Sequence, residues 1–259
     1  MYIIILYNME VVIYHNAGFF SCCSVRLDRI VYCINVHNII PQVDSSRSFN
    51  WYKNENENKD ITFDYFEDYN KINMNIEYPI NYNHECQYNK FSELDYNHII
   101  PVVKKYFSPS QNIISIIKKM EIDYNIDYNI CVLFYRGNDK ATEMTLPTYE
   151  DYLNYANLIL KDNPNIRFLI QSDETEFIDF MMNRFPNSFI FTNHIRHITK
   201  TNTTVDILYR EKNNEFSKYY LAITIIMSKC KYVICGSGNC SIWIMLYRGN
   251  NTNVFQIIK

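Results

Sequence analysis

Along the second half of the chain, apolar residues switch between two periods. Short apolar runs at ICVLFY (130–135), RFLIQS (167–172), SFIF (188–191), KYVIC (231–235) and NVFQII (253–258) predict strands. Between them, YEDYLNYANLIL (149–160), ETEFIDFMMNRF (174–185), EFSKYYLAITIIMSK (215–229) and NCSIWIMLYR (239–248) carry apolar residues at helical spacing. Strands that alternate with helices build a parallel sheet with crossover helices, so this half reads as doubly wound α/β. A polar stretch at 193–213 interrupts the series.

The first half is less regular. EVVIY (10–14) predicts a strand, HNAGFFS a turn, and SCCSVRLDRIVYCINVHN (21–38) a helix. NENENKD (54–60) reads as a solvated loop and ITFDYF (61–66) as a short strand, while 67–97 gives no assignment. After Pro101 and VVKKYF, Ser108 or Ser110 caps an amphipathic helix through NIISIIKKM (112–120). That helix serves as a connector between an N-terminal lobe, 1–108, and a C-terminal lobe, 109–259. The doubled DYNI at 123–130 is too short to be an architectural repeat.

Composition changes this picture little. With 47% hydrophobic and 20% charged residues the chain folds rather than staying disordered. The length of 259 residues allows one large domain or two small ones. A net charge of -3 leaves no basic excess for nucleic acid or an anionic membrane. The 23 Tyr and only 5 Gly reflect a bias spread evenly over loops and core. Eight Cys form no CxxC pair and no zinc-spaced cluster, so buried reduced thiols and no metal site are expected. The opening MYIIILY lacks a basic flank and falls short of the ~20 residues that span a bilayer. A cytoplasmic protein without a membrane anchor is expected.

Ligands in open parallel sheets collect beyond the carboxyl ends of strands. The loop after ICVLFY is YRGNDKATE, where Arg136, Asp139, Lys140 and Glu143 fall within one short turn. A guanidinium fork and an ammonium suit a diphosphate, although an exposed charged turn has the same composition. After RFLIQS, Asp173 and Glu174 could accept bonds from a ribose or base, or cap the helix that follows. CGSGNCS places Ser237, Gly238, Asn239 and Ser241 at a helix start, where a turn can cradle phosphate. No GK[ST] and no third glycine follow, which argues against kinase and dinucleotide-binding loops. His15, Asn16 and Gly18 sit at another strand end, where an acceptor or donor sugar could be met, and a simple tight turn explains them equally well. His194 and His197 have no partner at metal or triad spacing and read as surface residues.

Taken together, VLFYRGNDKATE, PTYEDYLNY, FLIQSDE and SKCKYVICGSGNCS resemble, in order and spacing, the α-1,6-fucosyltransferases and their nodulation-type relatives over about residues 130–257. The resemblance implies a GT-B-like α/β fold of two Rossmann-type lobes, the C-terminal one the clearer. It also implies inverting, metal-independent transfer of fucose from GDP-fucose to a glycan acceptor, with no cofactor besides the donor substrate. Carried across by position, Arg136 and Lys140 hold the donor diphosphate, Asp139 orders the loop and Glu143 is the general base. Tyr152, Asp173 and the turn Ser237, Gly238 and Asn239 line the donor site. The chain departs from the family at Gly137, where a second basic residue is expected, at Phe134 in place of His, and in a Lys140 to Glu143 spacing one residue shorter. The LAITIIMSK helix also lacks the family's Asp. Without an anchor, the resemblance fits a viral or bacterial-type enzyme of the cytoplasm. Use of another nucleotide sugar, a catalytically silent nucleotide- or glycan-binding module, and a salt-linked surface turn remain the competing readings.

Overall fold

The computed structural model describes residues 10–54, 57–73 and 75–259. The MYIIILY opening and the centre of NENENKD lie outside them. In the first half, β1 (Glu10–Val12) leads through α1 (Phe19–His37) to β2 (Gln42–Asp44), and the two strands pair in parallel, Val11 opposite Val43. A helical turn, α2 (Thr62–Tyr65), and two helices, α3 (Tyr96–Tyr106) and α4 (Gln111–Asp123), follow.

ITFDYF is thus a helical turn, not the strand its apolar run predicts. The Asp60 carboxylate accepts from the Thr62 N–H at 2.9 Å and from its hydroxyl at 2.6 Å, and this local bond curls the chain. The stretch 67–97 resists assignment because it is built of 3-10 turns, Tyr69–Lys71, His84–Tyr88 and Phe91–Glu93, which are too short to show a period. Ser110 stands at the start of α4, but its hydroxyl donates to the Asp64 carbonyl instead of capping the helix.

The second half follows the expected alternation: β3 (Ile130–Tyr135), α5 (Tyr149–Asp162), β4 (Arg167–Ser172), α6 (Thr175–Arg184), β5 (Ser188–Phe189), α7 (Val205–Leu208), α8 (Asn213–Lys229), β6 (Tyr232–Gly236), α9 (Asn239–Arg248) and β7 (Val254–Ile257). The strands form one parallel sheet in the order β5-β4-β3-β6-β7. All six residues of β3 are buried, as a central strand covered on both faces requires. The chain runs outward from β3 through β4 to β5, then returns to place β6 on the other side of β3. That reversal is a topological switch point, and it opens a crevice beyond the carboxyl ends of β3 and β6.

The core is continuous between the halves. Trp243 of α9 is fully buried, stacks 6.0 Å from Phe20 of α1, and donates its indole N–H to Ser24 at 2.9 Å. Tyr65 and Ser217 join α2 to α8 at 2.7 Å. All eight cysteines are buried. Among the described residues no helix is long and apolar enough to cross a membrane.

Candidate active site

At the switch point, Arg136 is the first residue past β3. Its Nε donates to Asp173 Oδ2 at 2.9 Å, Nη2 to Asp139 at 3.1 Å and Nη1 to the Cys240 sulfur at 3.1 Å. Burial opposes the guanidinium charge, yet Asp173 foremost among its neighbours holds it protonated well above its ordinary value. Asp173 Oδ1 also accepts from the Gly137 N–H at 2.9 Å. Asp173 therefore clamps the loop through both oxygens, and it also lines a small cavity beside Arg136.

The loop then makes a turn that only a few residue types allow. Asn138 has φ of 40°, a left-handed conformation that Asn tolerates. It is buried, donating from Nδ2 to the Asp173 carbonyl at 2.6 Å and accepting from the Thr201 N–H at 2.9 Å. The motif reading passed over Asn138; its signal in the sequence is the Gly-Asn pair after a strand.

The 3-10 turn Asn138–Thr142 presents Lys140 and Glu143, paired at 2.5 Å. Lys140 Nζ also lies 5.0 Å above the Tyr88 ring, and the Tyr88 hydroxyl donates to Glu143 at 3.3 Å. On the opposite strand end, Gly238 has φ of 133°, and a Cβ there would come within 3.1 Å of Lys140 Cε. Its N–H donates to the Gln87 carbonyl at 2.9 Å, so this amide is not available to a ligand. The donors left at the turn are those of the first turn of α9, from Asn239 onward, where the helix dipole favours an anion. Ser237 is fastened by Gln256 at 3.0 Å.

Arg136, Asp139, Lys140, Glu143, Ser237, Gly238 and Asn239 thus line one cleft of about 460 Å³. Its far wall comes from the first half and includes His15, Trp51, His84 and Tyr88, which local sequence patterns did not single out as a group. Tyr152, expected at the donor site, is fully buried instead, its hydroxyl donating to the Phe134 carbonyl at 2.9 Å. Its place on the buried face of α5 makes it a support for the end of β3.

Three further positions depart from their sequence reading. Asn16 bridges the Arg47 carbonyl and the Asn50 N–H and is a loop fastener. His194 is not a free surface group: it stacks on Tyr219 at 4.4 Å and lines the small cavity of about 50 Å³ beside Arg136. His197 is held by Thr175 at 2.9 Å. Among the described residues no three His, Cys, Asp or Glu side chains converge as metal ligands would.

Gly137 stands over a buried carboxylate. A Cβ at this position would lie 2.1 Å from Glu174 Oε2. Glu174 is fully buried, Oε1 has no hydrogen-bond partner among the described residues, and burial pushes its carboxyl above the ordinary range. The space where a second basic side chain is expected is filled by Glu174.

The crevice at the switch point, two cations at one strand end and a helix start at the other define a parallel-sheet protein of the GT-B type. No family model and no curated protein matches the sequence. Among solved structures, the chain is similar to NodZ alpha-1,6-fucosyltransferase soaked with GDP-fucose, with a TM-score of 0.56 and 11% identity over 93% of each chain. It is likewise similar to fucosyltransferase NodZ from Bradyrhizobium, with a TM-score of 0.55 and 11% identity over 92% of each chain. The same values hold for NodZ co-crystallized with GDP. The shared fold therefore extends well beyond residues 130–257, into the first half.

Proposed function

We propose that the chain is a glycosyltransferase that takes fucose from GDP-fucose and passes it to a glycan acceptor. In this reading residues 109–259 hold the donor and residues 1–108 face the acceptor. The observation that carries it is the meeting of Arg136, Lys140 and the start of α9 at the switch point, in one cleft with Glu143. Arg136, already aimed by Asp173 and Asp139, offers a fixed guanidinium to the diphosphate, and Lys140 adds a point charge. Preset donors of this kind stabilise the charge that grows on a departing nucleoside diphosphate without reorganising.

Glu143 supplies the carboxylate for the acceptor hydroxyl. Its carboxylate is engaged by Lys140, and a diphosphate that draws Lys140 to itself would free it for the acceptor hydroxyl. The base then takes the acceptor proton as the hydroxyl oxygen attacks the anomeric carbon, and the diphosphate leaves from the opposite face, inverting that centre. No step in this scheme requires a metal ion.

One observation favours a second reading, a silent nucleotide-binding protein: the Glu174 carboxylate lies where the family resemblance implies a second cation. Thermal unfolding with GDP, UDP, CDP and ADP, for the parent chain and Arg136→Ala, tests both. A shift with GDP that vanishes in the variant supports the donor site, since a ligand bound at 100 times its Kd adds about 2.7 kcal/mol. Transfer from GDP-fucose then separates the enzyme from the silent module. No shift with any nucleotide refutes both.

A further inference from the structure

The two walls of the cleft differ in charge. The second-half wall carries Arg136 and Lys140. The first-half wall includes no Lys or Arg; its polar side chains are imidazoles, a carboxylate, a carboxamide and hydroxyls. Such a wall has no Lys or Arg side chain for a second phosphate, only the start of α1, and its side chains suit a neutral ligand rich in hydroxyls.

Trp51 stands on this wall. It is partly exposed, packs on the core, and has no ring partner or hydrogen bond for its indole N–H among the described residues. A part-exposed indole N–H is left to solvent or a ligand, whereas a buried one usually has a protein partner. The only other tryptophan, Trp243, has one in Ser24.

On the same wall, His84 is held from both sides, with Nε2 2.7 Å from Glu85 and Nδ1 3.6 Å from Asp28. His15 Nε2 is 2.9 Å from Ser21. These groups sit next to the donor loops because the turn His84–Tyr88 is pinned there, Gln87 to Gly238 and Tyr88 to Glu143.

We propose that Trp51, His84 and His15 form a subsite for a neutral sugar ring of the acceptor. A pyranose presents aliphatic C–H groups on one face and hydroxyls around its rim. The C–H face packs on the part-exposed indole, and the rim hydroxyls donate to the Glu85 carboxylate, which His84 positions, and bond the second ring nitrogen of His15. Seated there, the ring lies on the side of the cleft from which Tyr88 reaches Glu143. The assignment rests on the transferase reading for its biological meaning, but its test does not.

The full chain is titrated with oligosaccharides ending in glucose, galactose, mannose or N-acetylglucosamine, with and without GDP. Because Trp243 is buried, a change in tryptophan emission reports Trp51. The expected result is saturable quenching by at least one saccharide. In Trp51→Ala, ligand-observed NMR should then show about a tenfold weaker Kd for that saccharide, with Trp51→Phe in between. GDP-induced stabilisation should be unchanged in both variants, which shows that they are folded. Binding to Trp51→Ala at the parent's Kd, or no emission change with any saccharide, overturns the subsite. If GDP fails to stabilise the parent while saccharides bind, the donor reading falls and the subsite stands.

Discussion

Arg136 and Asp173 are joined by a 2.9 Å bond from Nε to Oδ2 that ties the loop after β3 to the end of β4. The Asp173 side chain is only 6% exposed and that of Arg136 23%. The cation is held still before any ligand arrives.

Removing that clamp is costly. Asp173→Ala leaves Nε of a largely buried guanidinium and the Gly137 N–H without their acceptor, and should lower stability by about 3 kcal/mol in urea unfolding. A loss under about 1 kcal/mol would show that solvent replaces the clamp.

Gly137 and Glu174 should behave as one unit. Gly137→Ala pushes a methyl into the Glu174 carboxylate and should cost about 2 kcal/mol by overpacking. In a Glu174→Ala background the cost should fall, with a coupling energy of at least about 1 kcal/mol in the double-mutant cycle. Additive losses would mean that Tyr135, whose ring edge would lie 2.9 Å from the new methyl, is the obstacle instead.

Glu174 should also leave a mark on the pH dependence of stability. Burial raises its carboxyl in the folded state, whereas the unfolded chain ionises it near the ordinary value of about 4.3. Between the two values the folded state binds more protons, so the contribution is complete below the unfolded value and is lost as pH rises through the folded one. Glu174→Gln should therefore gain relative to the parent as pH rises from about 4 to about 7 in urea titrations. A difference that does not vary with pH would refute the raised carboxyl.

Glu143→Gln tests the base. If Glu143 accepts the acceptor proton, kcat with GDP-fucose should fall by about 10²–10⁴-fold, while GDP still raises thermal stability. A change within about threefold would move the role elsewhere on the cleft wall.

The order of elements in the second half was legible because buried parallel strands read as unbroken apolar runs and their helices as periodic ones. The loop YRGNDKATE could be picked out for the same reason, since a cluster of charges directly after such a run is visible locally. α2 and the 3-10 turns of the first half were not legible, because hydrogen bonds such as Asp60 to Thr62 set them rather than any period. Tyr152 and Asp173 read as site residues from their places in a motif and at a strand end; only the structure shows that Tyr152 is fully buried and that Asp173 fastens Arg136.

By itself, then, the sequence determined the α/β class, the strand runs and the charged residues that follow them, all of which depend on neighbours in the chain. Only the tertiary structure decided which loops meet. Strand order puts β6 beside β3, which brings Arg136 and Asn239 to one crevice, and the core around Trp243 sets His84 and Trp51 opposite them. These choices depend on contacts between residues far apart in the chain, whose loop-closure cost is repaid by burial and leaves no local pattern to read.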